Sequence, residues 1–419
     1  MHDLAISGRV VDPLDGVYEA TVLVSKGTIE KIAEQGKAKI SIELASSQLL
    51  FPGFIDAHVH LREPGMEYKE TFSTGANAAL HGGVTTAGDM PNLPEPITTK
   101  ERLLRKQQLA EKAAIDILHF GGVGSLQDIR ALAPHVPAFK IFTTESNWSR
   151  ALTWNEIEQS TRLIASLKKP ITFHCEDQHI NEQAKETLKG KQYAWKHCDE
   201  RPPESEISSV QKVAALCKKY NAAAHIAHIS TADAVKIASE SGLTCEVTPH
   251  HLFFRKEDMR TLGNLLKVNP PLRSDAERRA LLRALKKGRI STLATDHAPH
   301  TLQEKLSTGP SGMPGLDTYG NCVLWLMQEH NVQPELLARM TSHNAARYLN
   351  LKDRGRIKES FRADFAILDT QGTTVVRNKE LYTKCGWSAF GGVEFPGRVI
   401  NTIKNGVVLM KDGKVLGHQ

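Results

Sequence analysis

The chain has 419 residues, a formal net charge of +6, and 40% hydrophobic and 24% charged residues. This length exceeds what one hydrophobic core usually supports, so we expect a large domain with a smaller one. No apolar run could span a bilayer and the N-terminus shows no secretory signal, so we expect a cytoplasmic protein with no membrane partner. Short, separated basic runs argue against a nucleic-acid partner, and six scattered cysteines indicate reduced thiols.

Residues 1–50 predict short antiparallel strands. Apolar runs at 20–24 and 28–32 flank Lys26 and Gly27, a pair typical of a hairpin turn. A hairpin of this size is not stable alone, so the segment needs a partner elsewhere in the chain.

Residues 51–354 predict a (β/α)8 barrel of the TIM type. Short β-branched or apolar runs alternate with longer helical patterns at 100–113, 153–167 and 276–287, which is typical of βα units around a parallel sheet. Eight runs can be counted, at 49–57, 83–88, 117–123, 138–142, 171–174, 223–229, 244–248 and 290–295. Eight units are what this barrel requires.

Residues 355–419 return to the pattern of the N-terminal segment. An apolar run at 364–368 is followed by Asn405-Gly406 and Asp412-Gly413, two turn pairs between apolar strands. We therefore predict that 1–50 and 355–419 combine into one small β-sandwich domain beside the barrel. The predicted fold class is α/β.

The most informative positions are His58 and His60, at the C-terminal end of the first predicted barrel strand. Residues two apart on a strand point the same way, so both imidazoles would converge at the barrel mouth, as metal ligands do. Alone, a pair with this spacing is a weak signal, because surface and core histidines explain most such matches.

Four more polar residues fall at or near the ends of other predicted strands, namely Lys140, His174, His228 and Asp296. Barrel enzymes place catalytic residues at these ends, and clusters of titratable groups mark functional sites. His225 would face away from the side of the strand that carries His228. The sequence thus predicts a metal site at the barrel rim, with a snorkelling strand-end lysine as the alternative reading of Lys140.

Longer motifs surround these positions. They are DAHVHLREPG at 56–65, followed by Glu67, Lys69 and Glu70, then DMPN at 89–92, NPPLR at 269–273 and ATDHAPH at 294–300. Together they resemble the signature of class I dihydroorotases, in the amidohydrolase superfamily, along nearly the whole chain. The resemblance implies zinc-dependent, reversible hydrolysis of the cyclic amide of dihydroorotate to N-carbamoyl-aspartate, a step of pyrimidine biosynthesis.

The resemblance also implies two zinc ions per chain. The implied ligands are His58, His60 and Asp296 for one ion and His174 and His228 for the other. Lys140, carboxylated on its amine by CO2, would bridge the two ions as a carbamate. Some class I members have an aspartate at the bridge, but the strand around Lys140 and its spacing to His174 favour the lysine.

Contacts to a small anionic substrate are implied as well. They are Arg62, Asn92 and His300 for its carboxylate, Asn269 for its ring, and Pro314 and Gly315 for a backbone contact. A guanidinium suits a planar carboxylate because it forms bidentate, charge-assisted hydrogen bonds, although Arg62 could instead be a solvent-exposed loop cation. Asp296 would also be catalytic, carrying a proton from the attacking water to the departing amide nitrogen.

Alternative functions stay open. Allantoinase and dihydropyrimidinase or hydantoinase resemble this family in fold and metal ligands, and Arg62 discriminates because their substrates lack the ring carboxylate. A non-catalytic barrel that supports aspartate transcarbamoylase is a third reading, against which the intact ligand set argues. We expect a homodimer, and an association with aspartate transcarbamoylase is compatible with the resemblance. Residues 191–205 carry a familiar motif to which we assign no role.

Overall fold

The computed structural model describes residues 1–145 and 151–416. The chain begins with five strands, β1 His2–Asp12, β2 Gly16–Ser25, β3 Thr28–Ala33, β4 Ala38–Glu43 and β5 Gln48–Pro52. β1 pairs antiparallel with β2 and parallel with both β4 and β5, and β2 pairs antiparallel with β3. The predicted hairpin around Lys26 and Gly27 is β2–β3, with both turn residues at positive φ.

The middle of the chain supplies nine parallel strand segments. They are β6 Phe54–Val59, β7 Val84–Asp89, β8 Asp116–His119, β9 Gly121–Gly122, β10 Phe139–Phe142, β11 Ile171–His174, β12 Ala224–Ile226, β13 Thr244–Val247 and β14 Thr292–Leu293. Only Phe120 separates β8 from β9, so these two segments make one barrel strand. A parallel bridge between Val59 and His297 joins the last strand to the first. The eight-stranded barrel predicted from the sequence is confirmed.

Helices cover the barrel and its rim. They are α1 Phe72–His81, α2 Lys100–Ala110, α3 Leu126–Leu132, α4 Trp154–Ser166, α5 Gln178–Thr187, α6 Lys196–Asp199, α7 Pro203–Tyr220, α8 Ala232–Glu240, α9 Pro249–Phe253, α10 Met259–Leu262, α11 Asp275–Lys286, α12 Leu302–Ser307, α13 Tyr319–Gln328, α14 Pro334–Ala338 and α15 Asn344–Tyr348. Capping decides where they begin: Thr153 and Glu156 form a reciprocal capping box at the start of α4. Within the described ranges, none of these helices combines the length and apolar composition that a bilayer span needs.

The chain returns to the first sheet at its C-terminal end, through β15 Phe365–Val375, β16 Glu394–Lys404, β17 Val407–Lys411 and β18 Lys414–Val415. β15 pairs antiparallel with β5, so one sheet runs in the order β18-β17-β16-β15-β5-β1-β2-β3, with β4 beside β1. Both chain ends thus build the second β-structure, as predicted. The last three positions of the predicted small domain, 417–419, lie outside the described residues.

The first predicted barrel strand needs a correction. The apolar run at 49–57 is two strands, because β5 belongs to the terminal sheet and β6 starts the barrel, with Gly53 between them. A Cβ at Gly53 would lie 2.4 Å from the Thr85 hydroxyl, so only glycine lets the chain pass there. An unbroken apolar run hides this division, since both halves are buried.

A charged seam ties the terminal sheet to the barrel. Asp116, the first residue of β8, accepts hydrogen bonds from Arg362 Nη1 at 2.7 Å and from Lys404 Nζ at 2.8 Å. Arg354 Nη1 donates to the same carboxylate. These four residues, which we call the seam, form one network of ion pairs between the terminal sheet and the barrel.

Candidate metal centre and active site

The predicted site residues converge at the C-terminal ends of the barrel strands, where barrel active sites lie. Their places are His58 in β6 and His60 just after it, Asn92 after β7, Lys140 in β10, His174 at the end of β11, His228 after β12 and Asp296 after β14. Lys140 lies within its strand and not at the end, so its long side chain must extend along the barrel to reach the rim. All seven side chains are buried.

The first group is His58, His60 and Asp296. Asp296 Oδ1 lies 2.9 Å from His60 Nε2 and 3.4 Å from His58 Nε2. Burial lowers the pKa of both His58 and His60 and raises that of Asp296. Both imidazoles therefore present lone pairs at neutral pH, which is the form that binds a metal.

The second group is His174 and His228, next to Lys140. His174 Nδ1 and His228 Nε2 lie 2.9 Å apart, and the His58 and His228 ring centroids are 5.2 Å apart, so the two groups adjoin. Lys140 Nζ lies 3.4 Å from His58 Nε2, and burial together with the charge of this lysine lowers the pKa values of His174 and His228. Burial lowers the pKa of Lys140 to about 8, which favours the uncharged amine compared with an exposed lysine.

Two carboxylates behind the histidines were missed by the sequence analysis. Glu246 in β13 contacts His58 Nδ1 and accepts a hydrogen bond from the His228 backbone N–H at 3.0 Å. Glu176 lies 2.8 Å from His174 Nε2. Each carboxylate fixes which nitrogen of its histidine faces the centre, as outer partners of metal ligands do. Glu176, two residues after His174, could have been suspected from alternation along the chain, whereas nothing local marks Glu246.

Backbone strain concentrates at this rim. Arg62, His228 and Asp296 have φ values of 64°, 33° and 49°, in the left-handed region that non-glycine residues rarely adopt. Such conformations cost about 1–3 kcal/mol each and persist where the surrounding structure imposes them. The fold therefore holds these three side chains in place at a cost in stability.

A cavity of about 70 Å³ opens over the two groups. Its lining includes His58, His60, Arg62, Asn92, Phe142, Glu145, His174, His228, Asn269, Asp296, Ala298, Ser311 and Gly312. A neighbouring cavity of about 450 Å³ shares Asn92 and Phe142 with it and also reaches Lys140. The metal-facing side chains thus open into space that a small molecule could enter.

Arg62 lines this cavity, and His300 lies beside it outside the lining. Arg62 Nε donates to the Pro299 carbonyl at 3.0 Å, and its Nη2 lies 3.3 Å from His300 Nε2. Burial lowers the pKa of Arg62 only to about 10, so the guanidinium stays cationic at neutral pH. The Oδ1 atom of Asn92 is buried and has no hydrogen-bond partner in the described part of the chain. Of the three predicted carboxylate contacts, Arg62 and Asn92 line the cavity, whereas His300 reaches it only through its contact with Arg62.

Of the remaining predicted substrate contacts, one lines the cavity and two do not. Asn269 lines the cavity, and its Oδ1 accepts a hydrogen bond from Ser311 Oγ at 3.2 Å. Pro314 and Gly315 lie outside the lining of the 70 Å³ cavity, and the Gly315 N–H donates to His297 Nδ1 at 3.1 Å. The predicted backbone contact would therefore require a substrate that reaches beyond this cavity.

His225 faces away from the metal-facing groups, as its strand position indicated. Its Nε2 lies 3.1 Å from Glu246, and its ring stacks on Tyr348 with centroids 4.6 Å apart. His251, after β13, contacts the Thr248 hydroxyl and the Pro270 carbonyl. Both histidines support the rim from behind.

Comparison with known proteins agrees with this geometry. The model of the amidohydrolase family matches residues 49–409. The chain belongs to the amidohydrolase family. It is 34% identical over 404 residues to the dihydroorotase of Methanothermobacter thermautotrophicus, covering 94% of this chain and 90% of that protein. It is 32% identical over 418 residues to the dihydroorotase of Pyrococcus abyssi, covering 98% and 94%.

Among solved structures, the L-hydantoinase (dihydropyrimidinase) from Arthrobacter aurescens superposes with a TM-score of 0.95 at 25% identity, covering 100% of this chain and 98% of that one. The D-hydantoinase (dihydropyrimidinase) from a Thermus species gives a TM-score of 0.90 at 25% identity, covering 99% and 97%. The shared architecture is a barrel with a sheet beside it.

The residues of this amidohydrolase fit a metal ion. The ligand atoms of His58, His60 and Asp296 all lie within 4.8 Å of one another, and all three residues are buried. Imidazole and carboxylate are ligands that zinc takes in hydrolases. Glu246 and Glu176 add the outer carboxylates that such histidines use.

Proposed function

We propose that the chain is a dihydroorotase, a cyclic amidohydrolase that interconverts dihydroorotate and N-carbamoyl-aspartate. The observation that carries this is a buried cation beside the metal-facing cluster: Arg62 is 3% exposed and lines the same cavity as His58 and Asp296. A guanidinium in this position suits a planar ring carboxylate, with which it forms bidentate, charge-assisted hydrogen bonds. The dihydroorotase names of the relatives point the same way.

The substrate end of the site would work through three side chains. Arg62 would form bidentate hydrogen bonds to the carboxylate. The amide N–H of Asn92, which lines the cavity, and the His300 ring, 3.3 Å from Arg62, would complete its surroundings. This fixes the ring so that its amide carbonyl lies over the metal-facing residues, and such positioning is itself a large part of catalysis.

The proton would be carried by Asp296. As water attacks the amide carbonyl, the carboxylate takes one proton, and it returns this proton to the ring nitrogen when the carbon–nitrogen bond breaks. The cyclisation reaction runs through the same steps in reverse. Asp296 suits this role because it is buried against His58 and His60 and strained into one orientation.

Two zinc ions would complete the centre. His58, His60 and Asp296 would hold one ion, and His174 and His228 the other; when bound, zinc lowers the pKa of water and polarises a carbonyl. Lys140 lies 3.4 Å from His58 Nε2, and carboxylation by CO2 would turn its unsuitable ammonium into an anionic bridge. The test is metal analysis, with about two zinc ions per chain expected, together with the mass or crystal structure of the Lys140 side chain.

The decisive experiment is a substrate panel on zinc-loaded protein. Dihydroorotate and carbamoyl-aspartate should turn over at rates typical of enzymes, while allantoin, hydantoin and dihydrouracil should be poor substrates because they lack the carboxylate. A preference for any of the three uncharged rings would overturn the proposal. If none of the five compounds is turned over, the dihydroorotase proposal fails and the remaining hypothesis is a non-catalytic barrel that supports aspartate transcarbamoylase.

Hydantoinase is the second candidate, because the fold of the Arthrobacter enzyme superposes with a TM-score of 0.95. The same panel decides between the two. The homodimer and the association with aspartate transcarbamoylase stay predictions, to be tested by light scattering of the pure protein with and without that enzyme.

A further inference from the structure

The segment 191–205, which has no role in the proposed reaction, packs behind the active site. Its short helix α6 is anchored on both sides: Cys198 is buried against Met259, and Asp199 accepts a hydrogen bond from Lys256 Nζ at 3.0 Å. The segment therefore has a fixed position from which its side chains reach two different parts of the site.

The first contact leads to the metal-facing histidines. Arg201 Nε donates to Glu176 Oε1 at 2.8 Å, and its Nη2 donates to Oε2 at 2.6 Å. Glu176 in turn lies 2.8 Å from His174 Nε2, which leaves Nδ1 to face His228. A bidentate guanidinium fixes the plane of a carboxylate, so Arg201 sets the orientation of His174 through Glu176.

The second contact leads to the substrate pocket. His197 Nε2 lies 3.0 Å from the Val268 carbonyl and 2.9 Å from Asn269 Oδ1. A carbonyl oxygen can only accept, so the proton of the neutral ring is on Nε2; burial lowers the pKa of His197 to about 3, which keeps the ring neutral. The atom of Asn269 that faces this N–H must be its oxygen.

That assignment decides what Asn269 offers to the cavity. Its oxygen is engaged by His197 and by the Ser311 hydroxyl, so its amide nitrogen is the group left to donate to a ligand. A ring carbonyl or another acceptor would be recognised there, whereas a donor would be repelled.

We propose that His197 and Arg201 are positioning residues on one short element, His197 for substrate recognition through Asn269 and Arg201 for metal retention through Glu176 and His174. The His197 part rests on the proposed function, because it needs a cyclic amide in the cavity. The Arg201 part rests only on metal binding.

The test changes each residue separately and measures both KM and zinc retention, because each change should affect only one of the two quantities. His197→Phe keeps a ring but removes the donor, and should raise KM for dihydroorotate about tenfold, the equivalent of one hydrogen bond, with zinc content and kcat nearly unchanged. His197→Gln, which restores an N–H near the same place, should recover most of that loss. Arg201→Lys keeps the charge without the fork, and should lose zinc to a chelator about tenfold faster. With zinc in excess, its KM should match wild type.

Arg260→Met is the matched control. Arg260, in α10, packs its guanidinium 4.7 Å from the centroid of the ring of Trp195, which belongs to the segment 191–205. Loosening the segment there should leave both KM and zinc retention unchanged if the two named contacts, and not general packing, are responsible. Circular dichroism checks that each variant is folded, and Glu176→Gln provides a second route to the Arg201 effect.

Equal effects of His197→Phe and Arg201→Lys on both measurements, or an effect of Arg260→Met as large as theirs, would overturn the proposal. An unchanged KM in His197→Phe would disprove the positioning role of His197. An unchanged rate of zinc loss in Arg201→Lys would disprove that of Arg201. If wild-type protein does not turn over dihydroorotate, the proposed function fails and the His197 assignment with it, while zinc retention still decides the Arg201 assignment.

Discussion

The barrel rim and the charged seam are both clusters of ionisable groups, but the polar atoms of the two clusters are partnered differently. At the seam, Asp116 accepts hydrogen bonds from three cations, and Arg354 and Arg362 also pair with Asp353 and Asp364, so three carboxylates balance three cations. At the rim, His60 Nδ1, His228 Nδ1 and Asn92 Oδ1 are buried and have no hydrogen-bond partner within 1–145 and 151–416. An unsatisfied buried polar atom costs about 1–3 kcal/mol, and these three residues line the cavity, where a bound ligand would supply the missing partners.

The comparison shows how stability and function can be distinguished in one molecule. The seam joins two sheets and satisfies its own charges, which is typical of a structural contact. The rim adds strained backbone at Arg62, His228 and Asp296 to its unpaired polar atoms. Changes at the rim should therefore remove activity and leave folding intact, and changes at the seam should do the reverse.

The largest expected effect comes from removing a metal-facing histidine. His174→Ala should abolish zinc binding at one position and lower activity about a thousandfold or more, because the water then keeps its ordinary pKa. The urea unfolding midpoint of the metal-free protein should not fall. His179→Ala is the control, since His179 is exposed on α5 and contacts Gln183. Full activity of His174→Ala, or of chelator-treated wild type, would contradict the metal-centre proposal.

The next effect is expected at Asp296, which would carry the proton and also hold one zinc ion. Asp296→Asn keeps the shape of the side chain but cannot take a proton, and should slow turnover by about 10² to 10⁴. Hydrolysis and cyclisation should fall together, because one group serves both directions. Rates are measured from dihydroorotate and from carbamoyl-aspartate at matched zinc content. A variant that cyclised normally would exclude Asp296 as the carrier.

Arg62→Met tests the other end of the rim. Removing one partner of a buried charge pair costs about 2–5 kcal/mol in binding, so kcat/KM for dihydroorotate should fall between about 30-fold and a few thousandfold. Zinc content should stay constant. Arg278→Met is a suitable control, because Arg278 makes an ion pair with Asp275 within α11. An unchanged kcat/KM would favour the hydantoinase reading.

Much of this architecture could be predicted from the sequence because it depends on local pattern. Alternating βα runs predicted the barrel, and strand-end positions predicted that His58, His60, His174, His228 and Asp296 would converge. The division of the first strand at Gly53 could not be predicted, since its reason is the approach of Thr85 from a distant strand.

The residues that orient the candidate ligands could not be predicted from the sequence for a similar reason. Glu246 is 188 residues from His58 in the chain, and its role depends on the closure of the barrel. His197 and Arg201 lie in a segment whose local pattern indicates no chemistry, and they act only through Asn269 and Glu176. Direct ligands follow from strand geometry, whereas the groups that orient them follow from tertiary packing.

The smallest effect is expected at the seam, where Asp116→Asn should leave kcat/KM within about twofold but weaken the attachment of the terminal sheet. The carboxylate is partly exposed, so we expect a loss of only about 1–2 kcal/mol in unfolding free energy.

Burial raises the pKa of Asp116, but Lys404 and Arg354 more than offset this and hold the pKa below its ordinary value. A carboxyl group with a lowered pKa stabilises the fold above its unfolded pKa of about 3.9, and this contribution is lost as the pH falls through the folded-state value. The difference in urea midpoint between wild type and Asp116→Asn should therefore be constant near neutral pH and shrink below about pH 4. Glu158→Gln, which removes a surface pair with Lys219, is the control and should change the midpoint less. A variant that lost activity at neutral pH while keeping its midpoint would place Asp116 with the rim and reverse the distinction drawn between the two regions.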